Sequence, residues 1–196
     1  HAVALDLSKY FDTLNHEMII NILRRNVKDE RVIQWIKRYL KSGVMENGVV
    51  METEEGSPQG GNLSPLLANI YLNEFDKELM SRGLHFVRYA DDCIICVKSE
   101  VAANRVMSSV TKWLTEHLRV EVNATKTKVA RPKEIKYLGF SFYQKNGEWK
   151  PKPHIKSVKK LEYKLKPLLK RNWGVSMEYR MKKINEVTRG WINYYR

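Results

Sequence analysis

The most constraining feature of the sequence is an acidic pair set between two apolar runs. Asp91-Asp92 follows His85-Phe86-Val87-Arg88-Tyr89-Ala90 and precedes Cys93-Ile94-Ile95-Cys96-Val97. Asp-Asp alone is an ordinary turn dipeptide. Flanked by two strand-like runs, it becomes the tip of a hairpin whose body belongs in a core. Adjacent carboxylates repel each other, and a bound cation relieves that repulsion. A third acid, Asp6, ends another strand-like run, Ala2-Val3-Ala4-Leu5. If that strand lies beside the hairpin, the three carboxylates converge. Such a set suits Mg²⁺, a hard cation that prefers oxygen ligands. Two such ions about 3.5–4 Å apart activate an attacking oxygen and stabilise a leaving one in phosphoryl transfer.

Around these acids the periodicity alternates between helix and strand. A short helix is expected near Ser8–Phe11, with longer ones over His16–Arg25, Asp29–Leu40, Leu63–Met80 and Glu100–His117. Strands are expected at Leu84–Ala90, Cys93–Lys98, Val120–Val122 and Lys128–Ala130. Glu46-Asn47-Gly48 marks a hairpin within Gly43–Glu55, and Asn146-Gly147 marks another near Phe140–Lys150. Two helical runs, about 155–171 and 176–195, close the chain. The pattern predicts an α+β fold with a boundary near residue 152, where the composition shifts.

Charge supports that division. The net charge is +13, and residues 145–196 hold 15 Lys or Arg against 4 Asp or Glu. Residues 1–144 are nearly neutral, with 20 basic and 18 acidic side chains. A basic tail interleaved with Trp149, Tyr163, Trp173, Tyr179, Trp191, Tyr194 and Tyr195 fits a nucleic-acid partner better than a membrane. No apolar run approaches the roughly 20 residues of a membrane span. Cys93 and Cys96 are an odd number apart in one strand, so they point to opposite faces and do not clamp one ion. The expected compartment is reducing and cytoplasmic. His16, His85, His117 and His154 are scattered and are assigned no metal.

Five segments, in order, resemble the motifs of reverse transcriptases. They are Ala4–Asp12 with Leu-Asp-Leu-Ser-Lys-Tyr-Phe-Asp; Gly56–Leu67 with Pro58-Gln59-Gly60-Gly61; Tyr89-Ala90-Asp91-Asp92; Asn123–Lys128; and Tyr137-Leu138-Gly139-Phe140. The loop-helix Pro58–Leu72 resembles bacterial group II intron-encoded proteins, and the ending Arg189-Gly190-Trp191-Ile192-Asn193-Tyr194-Tyr195 resembles the start of their maturase domain, with retron-type enzymes as close neighbours.

The resemblance implies a polymerase palm, an antiparallel sheet packed on helices, over residues 1–152. A basic helical thumb, the start of a maturase domain, follows over 153–196. It implies RNA-directed DNA polymerase activity with two Mg²⁺ ions, an RNA template, a DNA primer, dNTPs and intron RNA. Asp6 and Asp91 are the expected metal ligands, with Asp92 supporting and the Leu7 carbonyl in reach. Phe11 is the expected steric gate under the sugar; a core Phe is the alternative. Gln59 and Gly60 match the nucleotide loop, where glycine lets backbone approach a substrate. Lys126 matches the proton donor to pyrophosphate, with Lys128 a rival on spacing. Leu138 and Gly139 match the primer grip. Lys156, Lys159, Lys160, Lys164, Lys170 and Arg171 are the expected phosphate contacts, which give affinity without sequence reading. Asp12 is expected to cap the helix near residue 15 or to organise the loop.

The fingers segment of the family is largely absent, and the sequence ends inside the maturase segment. The expectation is a fragment, weak or inactive alone. An RNA-binding maturase role and a non-catalytic palm are the competing readings; the intact Asp6, Phe11, Gln59 and Asp91-Asp92 set argues against the latter.

Overall fold

The computed structural model describes the chain except Lys9, Gly43, Asn47, Gly48, Glu52, Thr53, Glu54, Gln59 and Gly60; for 44–46 and 49–51 only the backbone is described. The chain forms two compact units, residues 1–130 and 131–196.

The first unit is built on a four-stranded antiparallel sheet in the order β4-β5-β1-β6. Its strands are β1 (Ala2–Leu5), β4 (His85–Tyr89), β5 (Asp92–Cys96) and β6 (Lys128–Ala130). The first strand of the chain therefore lies beside the acidic hairpin. A separate pair, β2 (Val44–Glu46) and β3 (Val49–Met51), forms the expected hairpin, whose turn residues 47 and 48 lie outside the described residues.

Strand alternation sends Val3, Leu5, Cys93 and Ile95 into the core, on the side of α3 (Ser64–Ser81) and α4 (Glu100–Leu118). Leu67, Ala68, Tyr71, Leu72, Phe75 and Leu79 make the buried stripe of α3 at helical spacing. Each Leu or Phe among them contributes about 1.5–3 kcal/mol when removed from water. Helices α1 (His16–Arg24) and α2 (Glu30–Lys41) cover the flank. Their caps are local: Asn15 and Asp29 accept the N–H of Met18 and Arg31, each at 2.9 Å. Asn15, not Asp12, therefore caps α1. Asp12 belongs to a short 3₁₀ turn, Tyr10–Asp12, which replaces the expected helix at 8–11.

Val120–Val122 is not a strand. Within it, Val122 forms an isolated antiparallel bridge with Leu7, just past β1. Cys93 is buried and Cys96 exposed, on opposite faces as alternation requires.

The second unit holds β7 (Phe140–Lys145) and β8 (Glu148–Pro153), paired around Asn146-Gly147, then α5 (Ile155–Leu168) and α6 (Met177–Tyr195). The hairpin groups with the two helices by its contacts, although it precedes the compositional shift near 152. Phe140 stacks on Tyr194 and tilts against Tyr195 of α6, with ring centroids 5.6 and 4.9 Å apart, which explains the grouping.

Candidate active site

Strand register builds the acidic site. Leu5 pairs with Cys93 and Ala4 with Ile94. One further step along that register sets Asp6 opposite Asp92, which itself pairs with Tyr89. Asp6 shares the parity of Ala2 and Ala4, so it lies on the face of the sheet away from the core. Asp91 occupies the two-residue loop Ala90-Asp91 between β4 and β5. Ala90 has a left-handed φ of +52°, the pattern of a hairpin turn whose first central position usually takes glycine.

Asp6 is held on every side. Its N–H donates to Thr127 Oγ1 at 3.2 Å, and its carbonyl accepts the Asn123 N–H at 2.8 Å. Lys126 Nζ lies 3.2 Å from Asp6 Oδ1. The Asn123–Lys128 segment thus meets the first strand, as its place among the five motifs requires. Lys126 thus reaches the carboxylate, and Lys128 lies opposite Ala4 in β6.

The bridge to Val122 uses the Asp6 carbonyl and the Ser8 N–H, so the Leu7 carbonyl takes no part in it. Among the described residues, no three His, Cys, Asp or Glu side chains stand close enough to hold an ion between them. An ammonium is instead drawn to Asp6. The chemistry of Asp6, Asp91 and Asp92 as donors is nonetheless of the kind a hard divalent cation takes. The set is all oxygen, it sits at the ends of adjacent strands, and it already attracts a positive charge.

Phe11 sits on the 3₁₀ turn and lines a small cavity of about 30 Å³ with Tyr10, Pro65, Ala68, Asn69 and Ala90. It therefore lies beside the loop that carries Asp91. Its neighbour Tyr10 is core: the buried hydroxyl donates to the Ala68 carbonyl at 2.6 Å, and burial pushes its pKa up. The loop after β3 is tied to this turn, since the Ser57 N–H donates to the Phe11 carbonyl at 2.8 Å. Gln59 and Gly60 lie outside the described residues. Their flanks are fixed: Ser64 Oγ donates to the Pro58 carbonyl at 2.7 Å and meets Tyr39 Oη at 2.8 Å.

In the second unit, Tyr137-Leu138-Gly139-Phe140 forms a tight turn with φ of +48° at Leu138 and +86° at Gly139. Both positive angles match a type I′ turn. The Tyr194 hydroxyl donates to the Leu138 carbonyl at 2.8 Å. Gly139 gives its carbonyl to the His154 N–H at 2.9 Å and to Ser157 Oγ at 2.8 Å. Sequence reading missed these tyrosines as supports of the turn; the aromatic cluster at the end of α6 was the available signal.

Lys156, Lys160 and Lys164 recur at one-turn spacing along α5. With Lys136, Trp191 and Tyr194 they line a groove of about 690 Å³. Lys159, Lys170 and Arg171 are exposed outside it. No helix among the described residues is long and apolar enough to cross a membrane.

An antiparallel sheet backed by two long helices, with acids at the ends of its two central strands, defines a polymerase palm. The chain belongs to the reverse transcriptase family: residues 1–142 match the model described as reverse transcriptase (RNA-dependent DNA polymerase). Residues 158–196 match the group II intron, maturase-specific domain, which sets the chain within the intron-encoded branch. It is 31% identical over 158 residues to protein YkfC of Escherichia coli, covering 63% of this chain and 42% of that protein. It is 40% identical over 89 residues to the group II intron-encoded protein LtrA of Lactococcus lactis subsp. cremoris, covering 45% and 15%. The chain thus spans less than half the length of these relatives. Among solved structures, apo telomerase from Candida tropicalis superposes with a TM-score of 0.62 at 13% identity, over 98% of this chain and 41% of that one. That likeness shows the fold.

Proposed function

We propose that this chain carries the palm (1–152) and the first part of the basic thumb (153–196) of an RNA-directed DNA polymerase of a group II intron retroelement. The register that sets Asp6 opposite Asp92, with Asp91 in the adjoining loop, carries this reading. Two Mg²⁺ ions bound by Asp6, Asp91, Asp92 and the Leu7 carbonyl would supply Lewis-acid stabilisation of the attacking and leaving oxygens. The protein's own groups do the rest. Phe11 packs under the sugar and leaves no room for a 2′-hydroxyl. Gln59 and Gly60, by their match to the nucleotide loop, would bind the incoming dNTP. Lys126, already beside Asp6, hands a proton to the departing pyrophosphate. Leu138 and Gly139 hold the primer end. The parent works in the bacterial cytoplasm.

Asp91→Ala in the full-length protein tests this reading. Primer extension should vanish while intron RNA binding persists; surviving extension refutes the assignment.

A second role, gripping intron RNA as a maturase, is favoured by the groove. Lys136, Lys156, Lys160 and Lys164 present four ammonium groups beside Trp191 and Tyr194. Lysine contacts of this kind release counterions, so binding falls steeply with salt. Salt-independent RNA binding would refute phosphate contact by these lysines.

A further inference from the structure

Arg88 lies on β4, two residues ahead of the loop that carries Asp91. Its side chain is only 10% exposed and makes four hydrogen bonds. Nε and Nη2 clasp the two oxygens of Asp76, the first at 2.7 Å. Nη1 reaches Asn69 Oδ1 at 3.0 Å and the Ala90 carbonyl at 2.9 Å. Asp76 and Asn69 lie seven residues apart on α3, so one helix face supplies both acceptors. Ala90, the third partner, holds the left-handed conformation that alanine adopts reluctantly.

We infer that Arg88 is a positioning residue for the catalytic turn: it ties the Ala90 carbonyl to α3 and thereby sets where Asp91 and Asp92 present their carboxylates. This rests on the reading that those aspartates hold metal. A plain ion pair between sheet and helix needs only Asp76. The bond to Ala90 is an additional commitment, aimed at the residue whose backbone is strained. Strain at a functional turn persists where the surroundings over-determine it, and the planar guanidinium does so here by bridging three acceptors in one fork. A lysine, as a point charge, cannot span them. The same helix begins at Ser64, whose Oγ donates to the Pro58 carbonyl at 2.7 Å.

The test measures single-turnover primer extension against Mg²⁺ concentration in the full-length protein, with thermal unfolding alongside. Arg88→Lys and the milder Asp76→Asn should weaken apparent Mg²⁺ affinity, by about 10–100-fold for the former, the range for groups that orient metal ligands. The swap R88D/D76R is the discriminating variant. It restores the ion pair and the stability, but an aspartate at 88 cannot donate to the Ala90 carbonyl, so the Mg²⁺ defect should remain. Normal Mg²⁺ dependence in the swap, or in folded Arg88→Lys or Asp76→Asn, overturns the inference. Extension by Asp91→Ala sinks the polymerase reading itself. Loss of extension in Asp91→Ala with normal Arg88→Lys sinks only the positioning role.

Discussion

Two glycines of the first unit separate the cost of a left-handed backbone from the cost of a close contact. Gly83 has φ +65° and nothing within 4 Å of an added Cβ. It follows α3 as its C-terminal stop: the Gly83 N–H donates to the Met80 carbonyl at 2.9 Å and the Leu84 N–H to the Leu79 carbonyl at 3.1 Å. Gly56 has φ +88°, but a Cβ there lies 2.9 Å from the Asp12 carbonyl oxygen and 3.2 Å from the Asp12 carbonyl carbon and Cα. Those atoms are backbone, so no side chain can swing aside. Gly83→Ala should cost about 1 kcal/mol, the strain of a left-handed alanine. Gly56→Ala adds the overpacking of a fixed neighbour, about 1–3 kcal/mol, for a total near 3 kcal/mol.

Native-state amide exchange in α1 and β5 reads the stability of this unit separately from the second. The expected difference between the two variants is about 2 kcal/mol. Equal costs would refute the contact argument. The functional consequence follows from the same bonds. Gly56 donates to the Leu14 carbonyl and Ser57 to the Phe11 carbonyl, both at 2.8 Å. Pushing on Asp12 therefore moves the turn that carries Phe11. Gly56→Ala should relax discrimination between dNTP and rNTP, and Gly83→Ala should not.

In the second unit, an alanine Cβ at Gly139 collides with the Tyr195 hydroxyl. Gly139→Ala should cost about 2 kcal/mol, and adding Tyr195→Phe should recover part of it; strictly additive costs would exclude the clash. Burial pushes the Tyr71 phenol up to about 12. It stays neutral in the fold while the unfolded chain ionises near 10. Its contribution is therefore whole below about pH 10 and is lost as pH rises toward 12. Tyr71→Phe should flatten part of that alkaline decline in unfolding free energy, and an unchanged slope refutes the cause. The Cys93 thiol, pushed up to about 12 by burial, should resist alkylation near pH 8 until the chain unfolds, whereas exposed Cys96 reacts at once. Mass spectrometry showing two modified thiols in the native chain would contradict this.

What the sequence disclosed was local, and what it withheld was non-local. The hairpin around Asp91-Asp92 and the helices over 64–81 and 100–118 are written in residues that neighbour one another, so their periodicity reveals them. Asp6 was legible as a strand-end acid. Its place opposite Asp92 was conditional, because it depends on which strand β1 chooses across 90 residues of chain. Arg88 was invisible for the same reason. In the sequence it is one polar residue in a strand; its partners are a helix away, and they explain why the turn tolerates alanine where turn chemistry asks for glycine. The Leu138-Gly139 turn repeats the lesson. Its left-handed leucine is held through a carbonyl bond from Tyr194, 56 residues on. In both turns the carbonyl of a non-glycine residue with positive φ accepts a side-chain hydrogen bond, Ala90 from Arg88, which is itself anchored on α3, and Leu138 from Tyr194. The local rule for turns fails where side chains anchored elsewhere in the fold supply the conformation, and those two failures fall on the turn that carries Asp91 and on the Leu138-Gly139 turn.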